Sequence, residues 1–133
     1  MKYKFILLLV FKLFTFPSLC KDFFISNQGN DKNAGSKEKP WKSINMVNSK
    51  IYKPGDKIFF KGGESFSGNL IVNEKSTSNP TNPITISSYG EGKATILAGD
   101  LGILVKNRSG IVVQDIIVAG ANRTTNQVTD TVL

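Results

Sequence analysis

Short apolar triplets separated by turn residues fill the chain between positions 58 and 118 and limit the folds that it can adopt. The triplets are IFF at 58–60, LIV at 70–72, ITI at 84–86, TIL at 95–97, ILV at 103–105, IVV at 111–113 and IIV at 116–118. No stretch between them is long or periodic enough for a crossover helix. The pattern predicts an all-β fold and excludes a sheet built from βαβ units. A sandwich or barrel and a right-handed parallel β-helix both fit.

The triplets favour the right-handed parallel β-helix. Continuous β-branched runs, rather than long alternating strands, are typical of strands buried in parallel sheets. The centres of the first and third triplets, Phe59 and Thr85, are 26 residues apart. Those of the second and fourth, Ile71 and Ile96, are 25 residues apart, and such a spacing is typical of a solenoid. We expect residues 57–133 to form about three coils of such a helix, incomplete at the C-terminus.

Residues 21–56 are expected to form a strand, a loop and a capping helix. The aromatic and β-branched run at 22–26 predicts the strand, and the Asn, Gly, Ser, Asp and Lys residues of 27–39 predict the loop. After the loop, apolar residues recur at helical spacing at Trp41, Ile44, Val47 and Ile51. Ser43 is the expected N-cap. We expect this helix to lie across the N-terminal end of the solenoid, with Trp41 buried.

Residues 1–20 have the organisation of a secretory signal peptide: a basic head, an apolar run and a helix-breaking tail. Lys12 interrupts the run, which falls short of the roughly 20 apolar residues that span a bilayer. We therefore expect cleavage near Cys20 and a secreted or cell-surface protein, extracellular or periplasmic, with no stable membrane span. The alternative is a lipoprotein acylated on Cys20. Removal of Cys20 leaves a chain without cysteine, which fits an oxidising compartment.

The composition excludes several kinds of chemistry. The chain has no histidine and one cysteine, which excludes His-dependent nucleophile systems and His-ligated or multi-thiolate metal sites. Seventeen Lys and Arg residues against ten Asp and Glu give a net charge of +7. Three of the basic residues and no acidic residue lie in the leader, so the mature chain would carry 14 minus 10, or +4, which is compatible with an acidic glycan as partner. The lysines form no basic stripe, so no nucleic-acid partner is expected.

Four stretches resemble the N-terminal region of secreted right-handed parallel β-helix proteins: FFISNQGNDKNAGSKEKPWKSI, KPGDKIFFKGG, FSGNLIV and NPITISSYGEGKATI. Among these proteins, the chain is similar from about residue 23 to 118 to polysaccharide lyases of the pectate lyase and chondroitinase B type. The resemblance implies the N-terminal part of a protein that acts on or binds extracellular, acidic polysaccharide. The alternative is a non-catalytic cell-surface binding or structural β-helix protein.

The same resemblance places the substrate and calcium residues of such lyases further along the solenoid than this chain reaches. We therefore expect this chain to be inactive by itself, and identify no cofactor in it, while a longer form would use calcium. After Val118 the sequence has no apolar periodicity from which to build a cap. The last coil is therefore expected to expose its strand edges and to promote self-association.

Two short motifs bear a partial likeness to ligand loops. Asp31, Asn33 and Gly35 match the start of a calcium loop, but Lys42 stands where an EF-hand has its bidentate glutamate. A hydrogen-bonded turn with positive φ at Gly35 is the expected structure. The GEGK run at 90–93 lacks both the first glycine and the Ser or Thr of a phosphate loop. It is expected to be a tight turn between strands.

Uronate β-elimination requires a group that neutralises the substrate carboxylate and a base that removes the adjacent proton. The residues weighed for these roles are Arg108, Arg123, Asp100 and Asp115. No catalytic motif places them, so they are expected to be solvated turn residues and the catalytic residues remain unassigned. The N-glycosylation sequons at 107–109 and 122–124 are likewise expected to be surface turns.

Overall fold

The computed structural model of the 133-residue chain describes residues 19–106, 109–120, 126–128 and 131–132. The predicted leader up to residue 18 lies outside the described residues. The described part is mostly β-structure with one short helix, which confirms the expected all-β class. The elements are β1 (Asp22–Ile25), α1 (Ile44–Ser49), β2 (Lys57–Lys61), β3 (Ser65–Ser67), β4 (Leu70–Ile71), β5 (Ile84–Tyr89), β6 (Ala94–Ala98), β7 (Ile103–Leu104), β8 (Ile111–Val113), β9 (Ile116–Gly120), β10 (Asn126–Val128) and β11 (Thr131–Val132).

The strands form three sheets, which the chain visits in turn. The first sheet has the order β1-β2-β5-β8-β11, the second has the order β10-β9-β6-β3, and the third pairs β4 with β7. Strands β2, β3 and β4 belong to successive sheets, and β5, β6 and β7 repeat the same path one layer further on. Every pairing among β1 to β9 is parallel, as expected.

The core lies between the three sheets and consists of stacked apolar side chains. Ile58 lies opposite Ile86, and Ile84 lies opposite Ile111, so like residues of successive layers are adjacent at the spacing of parallel strands, about 4.8 Å. The largest fully buried side chains are Trp41, Tyr52, Phe60, Ile25, Ile44, Ile58, Leu70, Ile84, Ile86, Ile96, Ile111 and Ile116. This stacking explains why most strands of β1 to β9 contribute a short apolar run.

Between residues 57 and 120, strand β3 was not predicted, and the expected repeat spacing was wrong. Strand β3 contains Phe66 between two exposed serines, so no apolar triplet marks it. In the structure Ile71 lies opposite Leu104 rather than Ile96, because Ile96 pairs with Phe66. In the first sheet the partner of Phe59 is Ser87, two residues beyond Thr85.

The predicted helix is shorter than expected, although its N-cap is confirmed. Ser43 accepts a hydrogen bond from the backbone N–H of Met46 and begins α1. Trp41 precedes the helix and bridges to β1, and its side chain is 2% exposed, which confirms its predicted burial. Ile51 is 56% exposed, so its expected place on the apolar face was wrong. The chain leaves the helix in an extended conformation, and Tyr52 enters the core instead.

Hydrogen bonds cover the outer edges of β1 and β3. The backbone N–H of Phe24 donates to the carbonyl of Gly35, and the N–H of Trp41 donates to the carbonyl of Phe24. The side-chain amide of Asn27 donates to the carbonyl of Ser65 in β3. The loop between β1 and α1 therefore satisfies strand edges that would otherwise be open to pairing.

At the other end, the expectation of open strand edges is wrong for two sheets. Strand β10 pairs antiparallel with β9, and β11 pairs antiparallel with β8. Such pairing uses backbone groups and needs no apolar periodicity, which is why the sequence after Val118 did not reveal it. Self-association of the chain stays a prediction. Within the described residues, no helix is long and apolar enough to cross a membrane.

Candidate functional site

Strand alternation places three aromatic side chains on the outer face of the first sheet. In β2, Ile58 and Phe60 point into the core and are buried, so Phe59 between them points outward and is partly exposed. By the same alternation Phe24 of β1 and Tyr89 of β5 are outward and partly exposed. The outer face of this sheet is therefore aromatic near the end of β2.

The three rings are in contact across the strands. The ring centroids of Phe24 and Phe59 are 5.3 Å apart, with an interplanar angle of 27°. Those of Phe24 and Tyr89 are 5.1 Å apart and nearly perpendicular, at 89°. Both arrangements are ones that aromatic pairs prefer. We call these three residues the outer aromatic cluster.

A carboxylate lies beside this cluster, in the turn after β2. Glu64 accepts hydrogen bonds from the hydroxyl of Ser26 at 3.2 Å and from the backbone N–H of Asn27 at 2.7 Å. Its Oε1 is 3.8 Å from Nζ of Lys61, and its side chain is 18% exposed. The carboxylate is thus fixed in position by three groups and still reaches solvent.

The hydroxyl of Tyr89 is held in its protonated form. Burial raises the pKa of Tyr89 above its ordinary value, and the negative charge of Glu64 raises it further. A protonated phenol both donates and accepts hydrogen bonds, whereas an ionised carboxylate only accepts them. The site therefore combines an apolar aromatic surface with one donor and two acceptors, a composition typical of sites for small polar molecules.

The sequence analysis did not predict this cluster, although two of its residues are recognisable in the sequence. The runs at 23–25 and 58–60 are apolar at every position, so one apolar residue of each strand must point away from the core. That signal identifies Phe24 and Phe59. Tyr89 and Glu64 lie outside any apolar run, and only the pairing of β1, β2 and β5 brings them to the same place.

The loop with partial likeness to a calcium loop is a hydrogen-bonded turn, as predicted. Asp31 accepts bonds from the backbone N–H groups of Lys42 and Ser43, at 2.8 and 2.9 Å, and from the Ser43 hydroxyl at 2.6 Å. The side-chain amide of Asn33 donates to a carbonyl of the same loop, and φ of Gly35 is +80°. Burial raises the pKa of Asp31, but the bonds from Ser43 and Lys42 outweigh it and leave the pKa below 3.8.

The remaining candidates that the structure describes lie in separate turns. The GEGK run at 90–93 connects β5 to β6 with positive φ at both glycines, which confirms the predicted tight turn. Asp100 is exposed in the turn between β6 and β7, and Asp115 lies between β8 and β9, where it is 3.8 Å from Nζ of Lys93. Arg108, Arg123 and the two sequons lie outside the described residues. Over the residues that the structure describes, no group of three or more Cys, Asp or Glu side chains could hold a metal ion.

Comparison with solved structures finds similarity to a carbohydrate-active enzyme. No protein-family model matches the chain. No curated protein matches it either. The native crystal structure of the GH136 lacto-N-biosidase from Eubacterium ramulus is similar, with a TM-score of 0.62 and 20% identity, and the match covers 78% of this chain and 22% of that one. The selenomethionine derivative gives a TM-score of 0.52 and 19% identity over the same shares.

This likeness concerns the fold and covers about a fifth of the neighbour's length. The neighbour is a carbohydrate-active enzyme, and the parallel sheets of this chain fit a β-helix. The expected similarity to the pectate lyase type stays a prediction.

Proposed function

We propose that this chain forms the first coils of an exported right-handed parallel β-helix protein that binds or acts on extracellular polysaccharide. The three sheets visited in turn support the solenoid architecture, and the carbohydrate-active neighbour supports a carbohydrate-related role. The observation that carries the proposal is the outer aromatic cluster beside Glu64, on the outer face of the first sheet.

The cluster has the groups that sugar binding requires. One face of a pyranose ring carries mainly C–H groups and packs against aromatic rings, whereas its rim carries hydroxyls that need hydrogen-bond partners. Phe24 and Phe59 supply partly exposed rings, and Glu64 and Tyr89 supply polar groups at their side. Buried rings alone would serve the core, but these rings lie on the outside of the sheet.

The polysaccharide lyase type is proposed for a longer form of the protein, in which later coils would hold calcium and the base. In this chain the carboxylate of Glu64 is fixed beside the cluster by two hydrogen bonds and by Lys61, which suits positioning of a glycan rather than proton transfer. The chain by itself is proposed to bind without turnover. We also propose that the short helix caps the N-terminal end of the solenoid, and that the protein is exported and cleaved near Cys20.

Affinity electrophoresis of the purified chain in gels containing neutral or acidic polysaccharides tests the binding function. We expect retardation by at least one polysaccharide, lost in Phe59→Ala and kept in Leu97→Ala, which removes an exposed side chain from the outer face of the second sheet. Unchanged mobility with every polysaccharide would refute the proposal. Ultraviolet absorbance of unsaturated product, with and without calcium, tests turnover: none is expected, and steady formation would make this chain an enzyme.

A further inference from the structure

The outer aromatic cluster is surrounded by balanced charge. Asp22 of β1 lies opposite Lys57 of β2, and Lys61 pairs with Glu64 in the turn that follows. The outward residues of β5, which include Tyr89, are uncharged at neutral pH. These two cations and two anions cancel, although the whole chain carries a net charge of +7. The turn after Tyr89 adds the acidic Glu91 and a Lys93 that is 3.8 Å from Asp115, and so adds no positive excess. The local surface therefore lacks the positive excess that an anionic polymer would select.

The charge that acts on the cluster itself is negative. After burial, the charge of Glu64 is the second cause of the raised pKa of Tyr89. A uronate carboxylate brought beside Tyr89 would meet the same repulsion from Glu64. Lys61 offers little compensation because its side chain is 43% exposed, so solvent and salt screen its charge more than that of Glu64, which is 18% exposed. A sugar hydroxyl, in contrast, donates a hydrogen bond to a carboxylate without any charge penalty.

Building on the proposed function, we propose that the outer aromatic cluster binds an uncharged pyranose unit of a glycan. The C–H face of the ring packs on the exposed surface of Phe24 and Phe59, one hydroxyl donates to Glu64, and another bonds the hydroxyl of Tyr89. This assignment differs from the acidic glycan expected from the net charge and the lyase resemblance. In this proposal, the charges next to the cluster, rather than the net charge of the whole chain, determine which sugar binds there.

Isothermal titration of the full chain with oligosaccharides of matched length tests the inference. The neutral probes are gluco-, galacto- and manno-oligosaccharides, and the acidic probes are oligogalacturonate and oligoalginate. We expect at least one neutral probe to bind about tenfold or more tightly than either acidic probe, which corresponds to about 1.4 kcal/mol. The affinity for that neutral probe should change less than about twofold between low and high salt, because no ion pair forms.

Three variants locate the binding. Phe59→Ala is expected to weaken binding of the neutral probe about tenfold, and Tyr89→Phe, which removes only a hydroxyl, about threefold or more. Glu64→Gln keeps an acceptor but removes the charge, so binding of oligogalacturonate should become several-fold tighter. Leu97→Ala is the matched control and should bind as the parent does. Far-ultraviolet circular dichroism and melting temperature verify that each variant is folded.

Each contrary outcome has its own meaning. Tighter binding of oligogalacturonate than of every neutral probe, weakened by salt and by Lys57→Ala, would overturn the inference and leave the proposed function standing. Neutral binding that survives both Phe59→Ala and Tyr89→Phe would overturn the assignment to this cluster. Absence of binding to any probe would overturn the inference and the proposed function together.

Discussion

The side-chain oxygen of Asn48, in α1, accepts a hydrogen bond from the backbone N–H of Ile71, in β4, at 2.9 Å. The amide nitrogen of the same side chain donates to the carbonyl of Asn69, also at 2.9 Å. Strand β4 pairs with β7 on its other side only, so one carboxamide makes the two hydrogen bonds that a further strand would make. The short helix thereby satisfies the edge of the third sheet.

Replacement of Asn48 by Ala should therefore destabilise the fold and expose this edge. Loss of two hydrogen bonds at a strand edge predicts a decrease of about 1–2 kcal/mol in the free energy of unfolding, measured by urea denaturation. Asn48→Asp keeps the acceptor for Ile71 but places a carboxylate oxygen against the carbonyl of Asn69, so a loss at least as large as that of Asn48→Ala is expected. Light scattering should show more self-association in Asn48→Ala. If Asn48→Ala were as stable as the parent chain and no more prone to self-association, the hydrogen bonds of Asn48 would not be needed to protect the edge of β4.

Trp41 is expected to contribute strongly to stability. Its ring stacks on Phe23 at 5.0 Å, and its indole N–H donates to the carbonyl of Asn33 at 2.9 Å. Trp41→Ala should lower the free energy of unfolding by about 3–5 kcal/mol. Trp41→Phe keeps a ring but loses the N–H donor, so a smaller loss of about 1–2 kcal/mol is expected. Circular dichroism during denaturation measures both; equal losses in the two variants would contradict the role given to the ring.

The contribution of Asp31 should depend on pH. Its pKa in the folded chain lies below the ordinary value of 3.8, so ionised Asp31 stabilises the fold above that value, and the contribution is lost as pH falls through the folded pKa. Asp31→Asn should cost about 1 kcal/mol at about pH 7 and less at about pH 2. Asp100→Asn, in an exposed turn, is the control and should cost little at either pH. A pH-independent effect of Asp31→Asn would refute the electrostatic explanation.

The strands that could be predicted from the sequence are those in which apolar residues form a continuous triplet. Ile58, Ile84 and Ile111 belong to apolar triplets because each packs on the next layer of the core. Phe66 fills the same role in β3, but its neighbours are exposed serines, so local composition resembles a loop. A single inward side chain suffices for a strand when its backbone is paired in parallel with β6. Pairing of this kind is not visible in composition.

The candidate site was less predictable than the fold, for a related reason. Phe24 and Phe59 are adjacent only through the register of β1 and β2. Tyr89, which is 30 residues after Phe59 in the sequence, joins them from β5. Glu64 acquires its partners from the turn after β1, far away in sequence. Sequence reasoning instead examined carboxylates and arginines by type, and the two carboxylates among them, Asp100 and Asp115, lie in turns between strands. Contacts across layers, rather than residue types, define this surface.

The most direct test of the central claim is backbone amide chemical-shift perturbation in NMR spectra of the chain as a neutral oligosaccharide is added. The claim predicts that the shifted amides cluster on β1, β2, β5 and the turn containing Glu64, around the three rings of the outer aromatic cluster. Amides around Leu97, on the outer face of the second sheet, should stay unchanged. Shifts confined to the second or third sheet, or absent altogether at saturating sugar, would contradict the claim that the outer face of the first sheet is a carbohydrate-binding surface.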